Sequence, residues 1–72
     1  MGHTLGLAWY RQQQQQGSTL RLFLRGWFTP LHGKVIDTDR TRVCIQVPNH
    51  LPKWVCVVGK KNEVASVEVV AE

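Results

Sequence analysis

The stretch Leu20-Arg21-Leu22-Phe23-Leu24-Arg25-Gly26 decides the fold. Leucine fills every second position and arginine or phenylalanine fills the gaps, the period-2 pattern of a half-buried β-strand. Gly26 ends the strand, and Trp27-Phe28-Thr29-Pro30 makes a bulky loop. Leu31 to Thr38 predicts a second strand, in which Gly33 marks a sharp bend or a close backbone approach. Asp37-Thr38-Asp39-Arg40 carries turn chemistry, because aspartate side chains bond to nearby backbone N–H groups. A third strand is predicted from Thr41 to Val47, with Val43, Ile45 and Val47 on one face and Arg42, Cys44 and Gln46 on the other. Pro48-Asn49-His50-Leu51-Pro52 is a loop, since its prolines cannot donate ladder hydrogen bonds. Trp54 to Val58 predicts a short apolar fourth strand. Gly59-Lys60-Lys61-Asn62 is expected to turn as a hairpin into a fifth strand, Val64 to Val70.

Upstream of Gly17 the period changes to 3.6. Leu5, Ala8, Trp9 and Gln12 fall at i, i+3, i+4 and i+7, which predicts a helix over 4–16 with one narrow apolar stripe. Thr4 is placed to cap its start, and Gly17 sits where a left-handed C-cap residue is wanted. The run Gln12 to Gln16 is compatible with a helix, since glutamine is a fair helix former. Together these elements predict a mainly β fold: an N-terminal α-helix followed by a small, strongly bent, five-stranded antiparallel barrel over 19–70. Seventy-two residues hold one such core and no second, so the whole of 1–72 is read as a single domain.

Composition narrows the function. At 43% hydrophobic and 19% charged, the chain is too apolar for a disordered tail and too interrupted for a membrane span, so no membrane partner is expected. The net charge of +4 is uneven: Arg11, Arg21, Arg25 and Lys34 stand in the first 36 residues without one acid, whereas the remainder is balanced. A basic excess of this kind suits a polyanion such as RNA or DNA. Cys44 and Cys56 lie twelve apart, without a CxxC or a matching histidine pair, so neither a zinc site nor any cofactor is expected. Both sit in apolar runs, where free cysteine acts as a small hydrophobe. The start of the chain has no charged n-region or long apolar stretch, and a reducing, cytoplasmic setting is the expectation. His3, His32 and His50 have no carboxylate at helical or strand-pair spacing, and Asp37 and Asp39 fit a turn better than a carboxylate pair. No phosphate-cradling glycine loop or nucleophile motif occurs, so the chain is not read as an enzyme.

With the strands in place, Leu20 to Gly26 followed by Leu31-His32-Gly33-Lys34-Val35-Ile36-Asp37-Thr38-Asp39 resembles the first motif of the Sm-like family. The resemblance lies in an alternating strand, a glycine turn, and a hydrophobic-x-Gly-x-hydrophobic strand with an aspartate six residues past the glycine, a step that Gly33 and Asp39 keep. Val57-Val58-Gly59-Lys60-Lys61-Asn62 and the strand from Val64 look like the second motif. The resemblance spans nearly the whole chain. It implies a ring-forming protein that binds single-stranded RNA as a scaffold or chaperone, with the turns after the aspartate and after the second glycine facing a central pore. Those positions are Arg40, Arg42, Lys60 and Lys61. Thr41 stands where the family sets a base-stacking aromatic or histidine, and Val58 replaces an arginine, so what the resemblance implies here is a cationic rim that holds phosphates without reading bases. The same four side chains also fit as solvated turn charges.

Two strand edges need covering in an open five-stranded barrel. The resemblance implies that the fourth strand pairs with the fifth strand of a sister copy, giving a homo-oligomer of five to seven subunits with Val55, Val57, Val67 and Val69 near the contact. A different class also fits: an SH3-like barrel serving as a non-catalytic protein-interaction or assembly subunit, with Trp27, Phe28 and Trp54 facing a partner.

Overall fold

A computed structural model describes residues 6–70. Helix α1 runs Leu7–Gln16, starting later than the sequence predicts. Gly6, a poor helix former, sits at its N-cap position in an extended conformation, while Thr4 and Leu5 lie outside the described residues. Gly17 closes the helix in the left-handed region (φ 69°), and its N–H and that of Ser18 take up the Gln14 and Gln13 carbonyls.

The buried face of α1 differs from the expected stripe. Ala8 and Gln12 are exposed and Trp9 is half-buried; Tyr10 and Gln13, one residue further on, are buried. One residue is a rotation of about 100°. Tyr10 joins the core cluster while Leu7 and Trp9 pack against it partly buried, and the glutamine run gives no periodic signal to fix the helix's rotation. α1 packs on strands β2 (Leu31–Thr38) and β3 (Arg42–Gln46), where Gln14 Nε2 donates to the Ile36 carbonyl (3.0 Å) and Arg11 Nε to Thr38 Oγ1 (3.3 Å). Burial pushes the Tyr10 hydroxyl up to a pKa of about 12. Phe23, which the alternation turns outward, remains 38% exposed.

The remaining strands are β1 (Thr19–Leu24), β4 (Lys53–Cys56) and β5 (Val64–Val70). All neighbours pair antiparallel in the order β4-β3-β2-β1-β5, so the sheet is strongly bent but not closed by a β4–β5 ladder. The stretch expected to form a β4–β5 hairpin is instead a short 3-10 turn, Gly59–Lys61, that carries the chain from one edge of the sheet to the other. The reason is register: β5 finds its partner in β1, with Leu20 opposite Val69 and Leu22 opposite Val67.

The inner face carries the core. Leu20 and Leu22 of β1, Val43 and Ile45 of β3, and Val55 of β4 are fully buried, with Tyr10 packed in the same cluster. One geometric feature lets both halves of the sheet face each other. At Gly33 an added Cβ would stand 2.3 Å from the Gln46 carbonyl oxygen and 2.6 Å from Ile45 Cγ2. A bulge between Val35 and Asp37 adds to the bend.

No helix among the described residues is long and apolar enough to cross a membrane.

Because backbone sets the limit at Gly33, Gly33→Ala is expected to cost at least about 3 kcal/mol or to prevent folding. Urea denaturation measures this; a variant within about 0.5 kcal/mol of the parent would contradict the close-approach account.

Candidate nucleic-acid interface

The β2–β3 turn is built by its own aspartates. Asp37 Oδ1 accepts the Thr38 N–H (2.8 Å), Asp39 Oδ1 accepts the Arg40 N–H (2.7 Å), and the Asp39 N–H donates to the Arg42 carbonyl (2.8 Å). The turn thereby lifts Arg40 into solvent, where it has no acidic partner among the described residues. Arg42 is differently placed. Its Nη2 is 2.7 Å from Asp39 Oδ2, and its guanidinium lies over the Trp54 ring at 4.8 Å. The hydrogen bond from Arg42, then the one from the Arg40 backbone, holds the Asp39 carboxyl below the usual carboxylate range. Of the two arginines singled out in this turn, Arg40 forms no ion pair among the described residues, although its charge acts on Asp39, and Arg42 is paired with Asp39 and stacked on Trp54.

Lys60 and Lys61 ride on the 3-10 turn that Gly59 opens with φ 76°, and both are exposed without an acidic partner among the described residues. The Val57 N–H donates to the Thr41 carbonyl at 2.8 Å, which ties this segment to the β2–β3 turn. Arg40, Lys60 and Lys61 thus lie on two connections joined at one end of the sheet. Arg25 extends this end: its N–H donates to the Glu63 carbonyl (2.8 Å) and its Nε to the Asn62 carbonyl (3.3 Å). Sequence reading passed over Arg25 because 37 residues separate it from Asn62. Only the pairing of β5 beside β1 brings them together.

Residues expected at a subunit contact fall in two groups. Val55 and Val57 are fully buried in the chain's own core, because the inner-face position opposite Val43 turns Val55 inward. Val67 is half-buried, while Val69, at the sheet edge, is 50% exposed. The open edge of β4 is short. Val57 sends its N–H toward β3, and backbone groups alternate along a strand, so those of Trp54 and Cys56 point to the open side. Glu63 occupies Cys56 twice over: its Oε1 accepts the Cys56 N–H (2.9 Å) and its own N–H donates to the Cys56 carbonyl (2.8 Å). Trp54 is left with the available pair within β4.

At the other end of β4, Lys53 Nζ lies 5.2 Å from the centre of the Trp27 ring, joining the β1–β2 and β3–β4 loops. Trp27 is 49% exposed, and Phe28 and Leu51 stand almost wholly in water. Trp54, grouped with Trp27 and Phe28 in the sequence reading, belongs instead with Arg42 and the buried Cys44 opposite it. His32 accepts a hydrogen bond from Arg21 Nε (2.9 Å), and Arg21 also holds Glu68 (2.6 Å), so this histidine is part of a surface network.

No family model, curated protein or solved structure matches the chain.

Asp39 is expected to titrate below the ordinary value of about 3.9. A depressed carboxyl favours the fold above its unfolded pKa, and that contribution is lost only as pH falls through the folded value. NMR of the carboxyl carbon reads this directly, and Arg42→Ala is expected to return the midpoint toward the ordinary value. An ordinary midpoint in the parent protein would contradict the Asp39–Arg42 contact.

Proposed function

We propose that the protein binds single-stranded RNA through a cationic rim, as a subunit of an Sm-like ring of five to seven copies acting as a scaffold or chaperone. The observation that carries this reading is the Val57–Thr41 backbone bond, which gathers Arg40, Lys60 and Lys61 at one end of the sheet. Cations without acidic partners neutralise phosphates and release counterions, which gives affinity without sequence preference. The two unpaired sheet edges, β4 and β5, support assembly by strand addition, and Val69 offers apolar area beside one of them. Reaction chemistry has no part in this reading.

A second reading, an SH3-like protein-interaction or assembly subunit, is favoured by one observation. Phe28 and Leu51 are apolar side chains held almost entirely in water on two neighbouring loops. Anchors of that kind belong to partner surfaces.

Fluorescence anisotropy with poly(U) and poly(A) over a salt series separates the two. Three phosphate contacts per subunit give a slope of about −2 for log K against log salt, equal for both polymers. Lys60→Ala with Lys61→Ala is expected to flatten that slope by about 1.4 while leaving the circular dichroism unchanged. Absence of binding at low salt would overturn the RNA reading and favour the assembly role.

A further inference from the structure

The outer face of the sheet carries an apolar slot that the cationic rim does not use. Thr19, His32, Gly33, Lys34, Gln46 and Pro48 surround a cavity of about 180 Å³, open on one side and walled almost wholly by carbon. Register explains how residues so distant in sequence meet. Thr19 pairs with Lys34 across β1–β2, and Lys34 pairs with Gln46 across β2–β3, so three outward side chains stand in one row. Gly33 contributes backbone to the lining, while a Cβ there would point inward, against Ile45 Cγ2 and the Gln46 carbonyl. The His32 wall is held in place by Arg21, which Glu68 holds in turn.

We infer that this slot takes one nucleobase of a bound RNA strand, ring laid against the carbon lining beside His32 and Pro48, with the Lys34 ammonium beside the adjoining phosphate. This rests on the RNA reading above and adds a second site to it. Three observations select this occupant. The volume suits a single six-membered ring, since a dry protein cavity of about 150 Å³ admits benzene. The exposed lining is almost wholly apolar, so it holds a ring by its π-face and selects by ring size rather than by hydrogen-bonding edges. The surrounding charge is cationic: Lys34 has no acidic partner among the described residues, and Glu68 is already matched by Arg21. An apolar ring carrying an anion meets both features, whereas a neutral aliphatic ligand meets one.

Position links the slot to the rim. β3 runs from Arg42, beside the rim, to Gln46, in the slot wall. Four residues of strand span about 13 Å, a distance one continuous strand of RNA crosses. One ring fits more completely than two, so pyrimidines are expected to bind more tightly than purines at this position.

The test is a heteronuclear NMR titration of the full chain with UMP, AMP, uridine and inorganic phosphate. UMP is expected to shift the backbone amides of Thr19, His32, Gly33, Lys34 and Gln46. AMP and uridine are each expected to bind several-fold more weakly. Phosphate alone is expected to leave Thr19 and Gly33 unmoved. His32→Ala and Lys34→Ala, both exposed positions with little bearing on the core, are each expected to weaken UMP about tenfold. Slot amides that stay silent while Arg40, Lys60 and Lys61 respond would overturn the slot and leave the rim standing. Slot shifts that survive in a protein with no affinity for poly(U) would keep the pocket and overturn the rim. Equal shifts with phosphate alone would overturn base insertion.

Discussion

Everything in this molecule depends on how closely β2 approaches β3 at Gly33. The Gln46 carbonyl and the Ile45 side chain stand where any other residue would put its Cβ. That contact lets one eight-residue strand pair with β1 through its first half and with β3 along its second. The two halves then enclose Leu22, Ile45 and Val55, and Tyr10 packs into the same cluster from α1. The candidate surfaces follow from the same bend. It sets Lys34 beside Gln46 on the outer face, and it carries β3 so that its Thr41 end meets Val57.

Glu63 is the second fixed point. Through three hydrogen bonds it joins the Arg25 end of β1 to the Cys56 end of β4, across the gap that the absent β4–β5 ladder leaves. A free strand edge invites pairing with another chain, and natural sheets blunt such edges with short strands, prolines and covering groups. Here the strand is four residues long, Pro52 precedes it, and Glu63 covers its far end. The uncovered backbone pair of β4 is therefore confined to the neighbourhood of Trp54. A narrow available edge guards against indiscriminate pairing.

The sequence displayed some of this plainly and hid the rest for physical reasons. The second and fifth strands are legible because runs bearing valine and other aliphatic residues begin or end at turn residues, and Gly33 announces its own constraint. The face of α1 is not legible: Gln12 to Gln16 presents the same side chain on every side, and the burial of Gln13 depends on where β2 and β3 lie. The Gly59–Asn62 stretch has the composition of a hairpin, yet whether β5 turns back on β4 or crosses to β1 is decided by competition between distant partners. Arg42 reads as a free cation until the turn geometry hands it Asp39. Arg25 reads as an ordinary outward residue until the crossover brings Asn62 to it.

The proposed RNA-binding ring rests on the exposed cations at one end of the sheet and on its open edges. In the proposed ring the cations would gain their strength by repetition: a few per chain become a continuous rim only if several copies surround one hole. The native mass at micromolar concentration, by light scattering coupled to size exclusion, tests this most directly. A particle five to seven times the 8.2 kDa of one chain is the result expected. A monomer would contradict it, removing the ring and the shared cationic opening together.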